Sequence, residues 1–159
     1  MTADFIQYLV ERHEGEVYGE AVFQAMAEHT ADPEARWRWR VLETLERETK
    51  ELLARELRAR GHAPQESAEK WDEGLKLGKT LAGVPREVLM KGLRGEVAKF
   101  VAEYEAAEPL APPDGVELAR HVTAHERAIL EMVDLEIASP GADSTGPVRK
   151  LLADPPARV

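Results

Sequence analysis

The chain of 159 residues contains no cysteine, so it forms no disulfide framework, zinc finger, thiol nucleophile or thiolate-held iron–sulfur cluster. Any metal it takes must be held by carboxylate and imidazole. Positive charge is also short: 21 Lys and Arg stand against 30 Asp and Glu, a net charge of −9 with the five His neutral. Phosphate recognition needs a basic footprint, so no nucleic-acid partner is expected, and an anionic membrane surface is disfavoured for the same reason. Long apolar runs are missing as well. The opening MTADFIQYLVERHEGE carries acids early and holds no signal-peptide run, and nothing later approaches the roughly 20 apolar residues of a membrane span. A soluble cytoplasmic protein is the expectation. Aromatic residues supply only 6% of the chain, and Ile, Thr, Tyr and Phe, which strands favour, are scarce.

In their place stand Ala, Leu, Glu, Arg and Lys, which together fill more than half of the sequence. That composition predicts one all-α globular domain. Apolar residues recur at helical spacing through Phe5, Ile6, Leu9, Val17, Phe23 and Ala27, giving a first helix over about Thr2 to His29 with Thr2 as its N-cap. Asp32-Pro33 then opens a second helix, Pro33 to about Arg60, with an inner stripe of Trp39, Leu42, Leu45, Thr49, Leu52, Leu53 and Leu57 and a stop at Gly61. A connection this short makes the two helices antiparallel neighbours.

Residues 61–84 are punctuated by Gly61, Pro64, Gly74, Gly78 and Gly83 around one short amphipathic piece, Gln65 to Leu81, and read as a crossover rather than a core helix. A third long helix runs from Val84-Pro85 to about Glu108, with Leu89, Leu93, Val97, Phe100 and Tyr104 on one face, and a fourth runs from Val116 to about Ala138. The expected plan is a four-helix bundle over residues 1–138, two antiparallel pairs joined by a long crossover. Residues 139–159 form a Pro- and Gly-rich tail, expected to be disordered or pinned on a partner surface.

Inner stripes should be apolar, so acids and histidines on them need a reason. Steps of three and four along the first helix pass His13, Glu16 and Glu20, with Glu20 mid-stripe. The second helix places Glu46 beside its apolar row, the third places Glu96 inward, and the fourth places His125 inward with Glu126 at the border. Four carboxylates meeting in an apolar bundle need compensation, because desolvation and mutual repulsion raise their pKa values. Divalent cations would supply it, and iron or manganese accepts oxygen and imidazole donors.

The helix-pair layout, the Glu in Gly19-Glu20-Ala21-Val22-Phe23 and the central acids of the other three helices resemble the ferritin-like superfamily, near its rubrerythrin-type members. The resemblance covers about residues 2–138. It implies two iron ions held by one Glu each from the first and third helices, here Glu20 and Glu96, and by a Glu-x-x-His on the second and fourth, where Glu46 and Glu126 would stand. Dioxygen or peroxide chemistry would follow. Neither Glu-x-x-His is present, since Thr49 and Ile129 occupy the histidine positions. With His125 before Glu126 and His121 one turn earlier, the imidazole would come from the other side, and the site would be unusual, mononuclear or absent.

Blander readings compete. A slight helix rotation takes Glu20, Glu46 and Glu96 to the bundle edge, paired with arginines such as Arg36, Arg40, Arg47, Arg94 and Arg127. His125 is then a hydrogen-bonded core histidine, and His13 with Glu16 a polar layer. Arg36-Trp37-Arg38-Trp39-Arg40 spreads around a helix rather than forming a stacking platform, which makes Trp39 core and Trp37 a contact for the crossover or a second subunit. The Glu-rich runs 43–51 and 103–108 read as solvated faces. A homodimer is expected, acting on a small-molecule substrate if an enzyme. The alternatives are a metal-free scaffold or dimerisation module, and a bundle pocket for a small apolar ligand.

Overall fold

The computed structural model describes residues 2–158, and among them only helices and turns occur. In chain order the helices are α1 (Thr2–Glu28), α2 (Pro33–Ala59), α3 (Ala68–Ala82), α4 (Arg86–Ala107), α5 (Val116–Ala138) and α6 (Gly146–Arg149), with a 3-10 turn at Glu108–Leu110. No helix among the described residues is long and apolar enough to cross a membrane. The capping role expected of the Thr2 side chain lies outside the described residues. Contacts divide the chain into two compact units, residues 6–83 with 152–159 and residues 84–151 with 1–5.

In the first unit, Asp32 caps α2 by accepting from the Ala35 backbone N–H at 2.8 Å, and Pro33 follows at the first helical position. The far end closes at Gly61, whose φ of +80° suits glycine and whose successor His62 donates back to the Leu57 carbonyl at 2.8 Å. Phe23 stacks on Trp39 with centroids 6.1 Å apart, while Gly19 lies against Glu46 and Glu20 against Lys50. Contacts that fall along one helix as they rise along the other make α1 and α2 antiparallel.

α3 falls on the short amphipathic piece expected within residues 61–84, and only its Gly74 and Gly78 are buried. Ser67 caps it through the Lys70 backbone N–H, and its buried Gly74 and Gly78 sit against Tyr18, Ala21, Val22 and Ala25 of α1. A Cβ at Gly74 would stand 2.6 Å from the Tyr18 carbonyl oxygen, so these glycines, one turn apart, are where two helix backbones approach closely. Their spacing reads as punctuation only if that approach is not considered.

In the second unit, α4 and α5 run antiparallel, with Arg94 on Asp134 at 2.6 Å and Arg127 on Glu105 at 2.8 Å. α5 buries Val122, Ile129, Met132 and Val133, as its periodicity requires. On α4 the buried stripe is Leu89, Met90, Val97, Val101 and Tyr104, while Phe100 is 42% exposed. The inner face is thus turned by one residue from the row that passes through Leu93, Glu96 and Phe100.

The tail is ordered and held by this same chain. Its first part carries α6, and residues 153–158 lie along α2, where the Glu48 carboxylate accepts from the Ala153 backbone N–H at 2.6 Å and from that of Asp154 at 3.3 Å. The Trp37 indole N–H donates to the Pro156 carbonyl at 3.0 Å. Trp37 therefore meets the C-terminal segment, which the sequence reading did not assign to it.

Candidate functional site

Each unit has its own set of buried polar side chains. In the first, the α1 stripe carries His13, Glu16 and Glu20, all buried, and α2 contributes buried Glu43, Glu46 and Thr49. Glu43 is held by Arg40 at 2.7 Å, so the acidic run on α2 is not wholly a solvated face. The carboxylate of Glu46 rests against Gly19, where a Cβ would lie 2.7 Å from its carboxyl carbon. A side chain at that position would require the Glu46 carboxylate to shift.

Glu20 is mid-stripe and buried as expected, but its partner is a lysine. The Lys50 ammonium lies 2.6 Å from Glu20 and 2.7 Å from Glu66, and 6.0 Å from the Trp71 ring centre. Burial by itself would lower the Lys50 pKa, but the hydrogen bonds and charges of Glu20 and Glu66 outweigh it and hold it above the usual value. The hydrogen bond from Lys50 in turn draws Glu66 below its ordinary range. Burial lowers His13, with Lys50 and Arg58 acting in the same sense and Glu66 opposing them.

In the second unit, His125 is completely buried in α5 and Glu126 is buried next to it, with the ring Nε2 3.8 Å from the carboxylate Oε1. His121 lies one turn earlier on the same face. Burial lowers its pKa, and the His125 charge adds to the effect. Glu96 is elsewhere: it is exposed on α4 and paired with Lys99 at 3.0 Å, a consequence of the one-residue turn of that helix's inner face.

A half-buried lysine and a buried glutamate also escaped the sequence reading. Lys50 stands one turn after Glu46 at the same border of the α2 stripe, which is the signal that marks it. Glu136 follows Met132 and Val133 at helical spacing, is buried, and is held by the Arg86 guanidinium and the Ser144 hydroxyl. The Arg86 partner comes from the start of α4, which periodicity along α5 does not reveal.

Chemically, the first unit offers carboxylates already compensated by an ammonium, and α5 offers an imidazole and a carboxylate with the donor types that iron, manganese or zinc accept. No family model matches the chain, and neither a curated protein nor a solved structure matches it.

Proposed function

We propose that the chain is a ferritin-like helical protein that holds a metal ion, iron or manganese, through carboxylate and imidazole ligands. The observation that carries this reading is the pairing on α5 of a fully buried His125 with a buried Glu126, Nε2 and Oε1 3.8 Å apart. Burying an imidazole and a carboxylate is costly, and a divalent cation bound to them offsets that cost with the only donor types a cysteine-free chain has. Two of the other central acids already have cations beside them, Glu20 with Lys50 in the α1–α3 unit and Glu96 with Lys99 on α4. Bound iron would supply electron transfer to dioxygen or peroxide, an oxidoreductase activity.

Elemental analysis of protein purified without chelator tests the reading, with His125→Ala and Glu126→Ala alongside. Near-stoichiometric metal in the parent and its loss in both variants is the expected result, accompanied by near-ultraviolet absorption if the metal is iron. Sub-stoichiometric metal indifferent to both substitutions overturns it.

A second reading, a metal-free helical scaffold, is favoured by Lys50, whose ammonium already neutralises Glu20. It expects Glu46→Gln or His125→Leu to leave stability unchanged or raised, since a buried polar group is relieved. The metal reading expects the same substitutions to lower stability in metal-loaded protein, because binding to the folded state is lost.

A further inference from the structure

The outer face of α2 is built to receive an extended peptide. Glu34, Trp37 and Glu48 lie on one side of the helix, Trp37 and Glu48 about three turns apart. Each takes a different part of residues 153–158. The Glu48 carboxylate accepts two successive backbone N–H groups, from Ala153 and Asp154. The Trp37 indole N–H donates to the Pro156 carbonyl. The Arg158 guanidinium lies 4.0 Å from the centre of the Trp37 ring and 2.8 Å from the Glu34 carboxylate. As residue numbers rise along the segment they fall along α2, so the two run antiparallel. Backbone hydrogen bonding, a tryptophan under a proline stretch and a cation on the indole together make a recognition surface for an extended, proline-rich, arginine-bearing segment.

We infer that residues 152–158 are an exchangeable strap, and that this face of α2 takes the same segment from a second copy of the chain. Three observations support exchange. The boundary between the two compact units falls between Leu151 and Leu152, immediately before the strap, so the strap is a short terminal piece separate in sequence from the rest of its unit. Ala153, Asp154, Pro155, Ala157 and Arg158 are exposed, so the strap buries few of its own side chains, and the apolar surface its release uncovers is chiefly that of Trp37. Pro155-Pro156 keeps a released segment extended, which lowers the ordering cost of docking on another molecule.

A second copy also presents the matching chemistry by identity, and two reciprocal straps close a two-fold dimer with no contact that the single chain lacks. Tethering holds the strap at an effective concentration of about millimolar on its own α2. Exchange is therefore a property of concentrated protein.

The absence of cysteine makes a direct test clean. Glu34→Cys and Ala157→Cys are placed in separate, mass-distinguished full-length chains, which are mixed at high concentration and treated with a short bis-maleimide. The expected product joins one variant to the other at about ten times the yield of a control pair, Glu87→Cys with Ala157→Cys, in which Glu87 is an exposed α4 position. Adding Glu48→Ala to the Glu34→Cys chain should cut the yield severalfold while its helical circular dichroism remains that of the parent. Excess synthetic peptide of residues 152–159 should compete the product away. A yield no higher than the control, a yield indifferent to Glu48→Ala, or equal competition by a scrambled proline-rich peptide overturns the proposal.

Discussion

In the α1–α3 unit the buried carboxylate Glu20 meets a lysine ammonium at 2.6 Å, whereas in the α4–α6 unit the buried carboxylate Glu126 lies 3.8 Å from the Nε2 of a fully buried imidazole. The first compensation is permanent, because Lys50 is held above its usual pKa by Glu20 and Glu66. The second depends on what else binds, because an imidazole gains charge only with a proton and otherwise offers a lone pair. A buried acid beside a lysine is complete within the chain. A buried acid beside a histidine brings together the two donor types that a cation accepts in a cysteine-free chain, and for that reason the metal proposal rests on α5.

Removing the built-in cation is the strongest way to break this contrast. Lys50→Met leaves Glu20 buried without its ammonium, and breaking one side of a buried pair costs about 3 kcal/mol or somewhat more. Urea denaturation should show that loss, and the double variant Glu20→Met/Lys50→Met should recover most of it. In the other unit, Glu136→Gln keeps an acceptor for Ser144 but removes the charge facing Arg86. Since Arg86 is half-exposed, about 1–2 kcal/mol is expected by the same measurement.

Acid sharpens the contrast, because burial lowers the pKa of a histidine in each unit, His13 in one and His121 in the other. Burial holds both His13 and His121 below the ordinary histidine pKa of 6.5, so the unfolded chain binds more protons once pH falls below about 6.5. Their contribution to stability is present above that pH and is lost progressively as pH falls toward the folded values. Melting temperatures should therefore drop between pH 7 and pH 5, and His13→Asn and His121→Asn should each flatten the slope. Glu66, with its folded pKa lowered by Lys50, adds a loss at lower pH still, below the ordinary carboxylate range.

The smallest effect is expected at Glu96. Its exposed pair with Lys99 contributes under about 0.5 kcal/mol, so Glu96→Ala should change neither melting temperature nor metal content. A loss of bound metal there would return Glu96 to the ligand set and reopen the reading of α4.

Much of the helix content was legible. α5 spans Val116–Ala138 as its pattern predicts, and α1 and α2 end within a residue of expectation, because Asp32-Pro33 and Gly61 act locally through capping and backbone geometry. The face of α4 was not legible to the residue. Leu89, Val97 and Tyr104 fit the expected row, but Met90 and Val101 take the interior in place of Leu93 and Phe100, and that one-position turn carries Glu96 out to solvent. α3 was legible as a short amphipathic piece, but the role of its glycines was not. Gly74 and Gly78 break an isolated helix but suit one pressed on a neighbour's backbone, and nothing in residues 61–84 names that neighbour.

Sequence alone determined the all-helical class, the ends of the helices, the exclusion of thiol chemistry and the presence of acids and histidines on stripes that should be apolar. These follow from composition, spacing and capping, which act within a few residues. Tertiary structure decided which of those polar groups are already satisfied: Glu20 by Lys50, Glu136 by Arg86 and Ser144, and the α2 surface by the chain's own last residues. Periodicity places a side chain on a face, but its charge state and its chemistry depend on the partner that packing brings to it from a distant part of the chain.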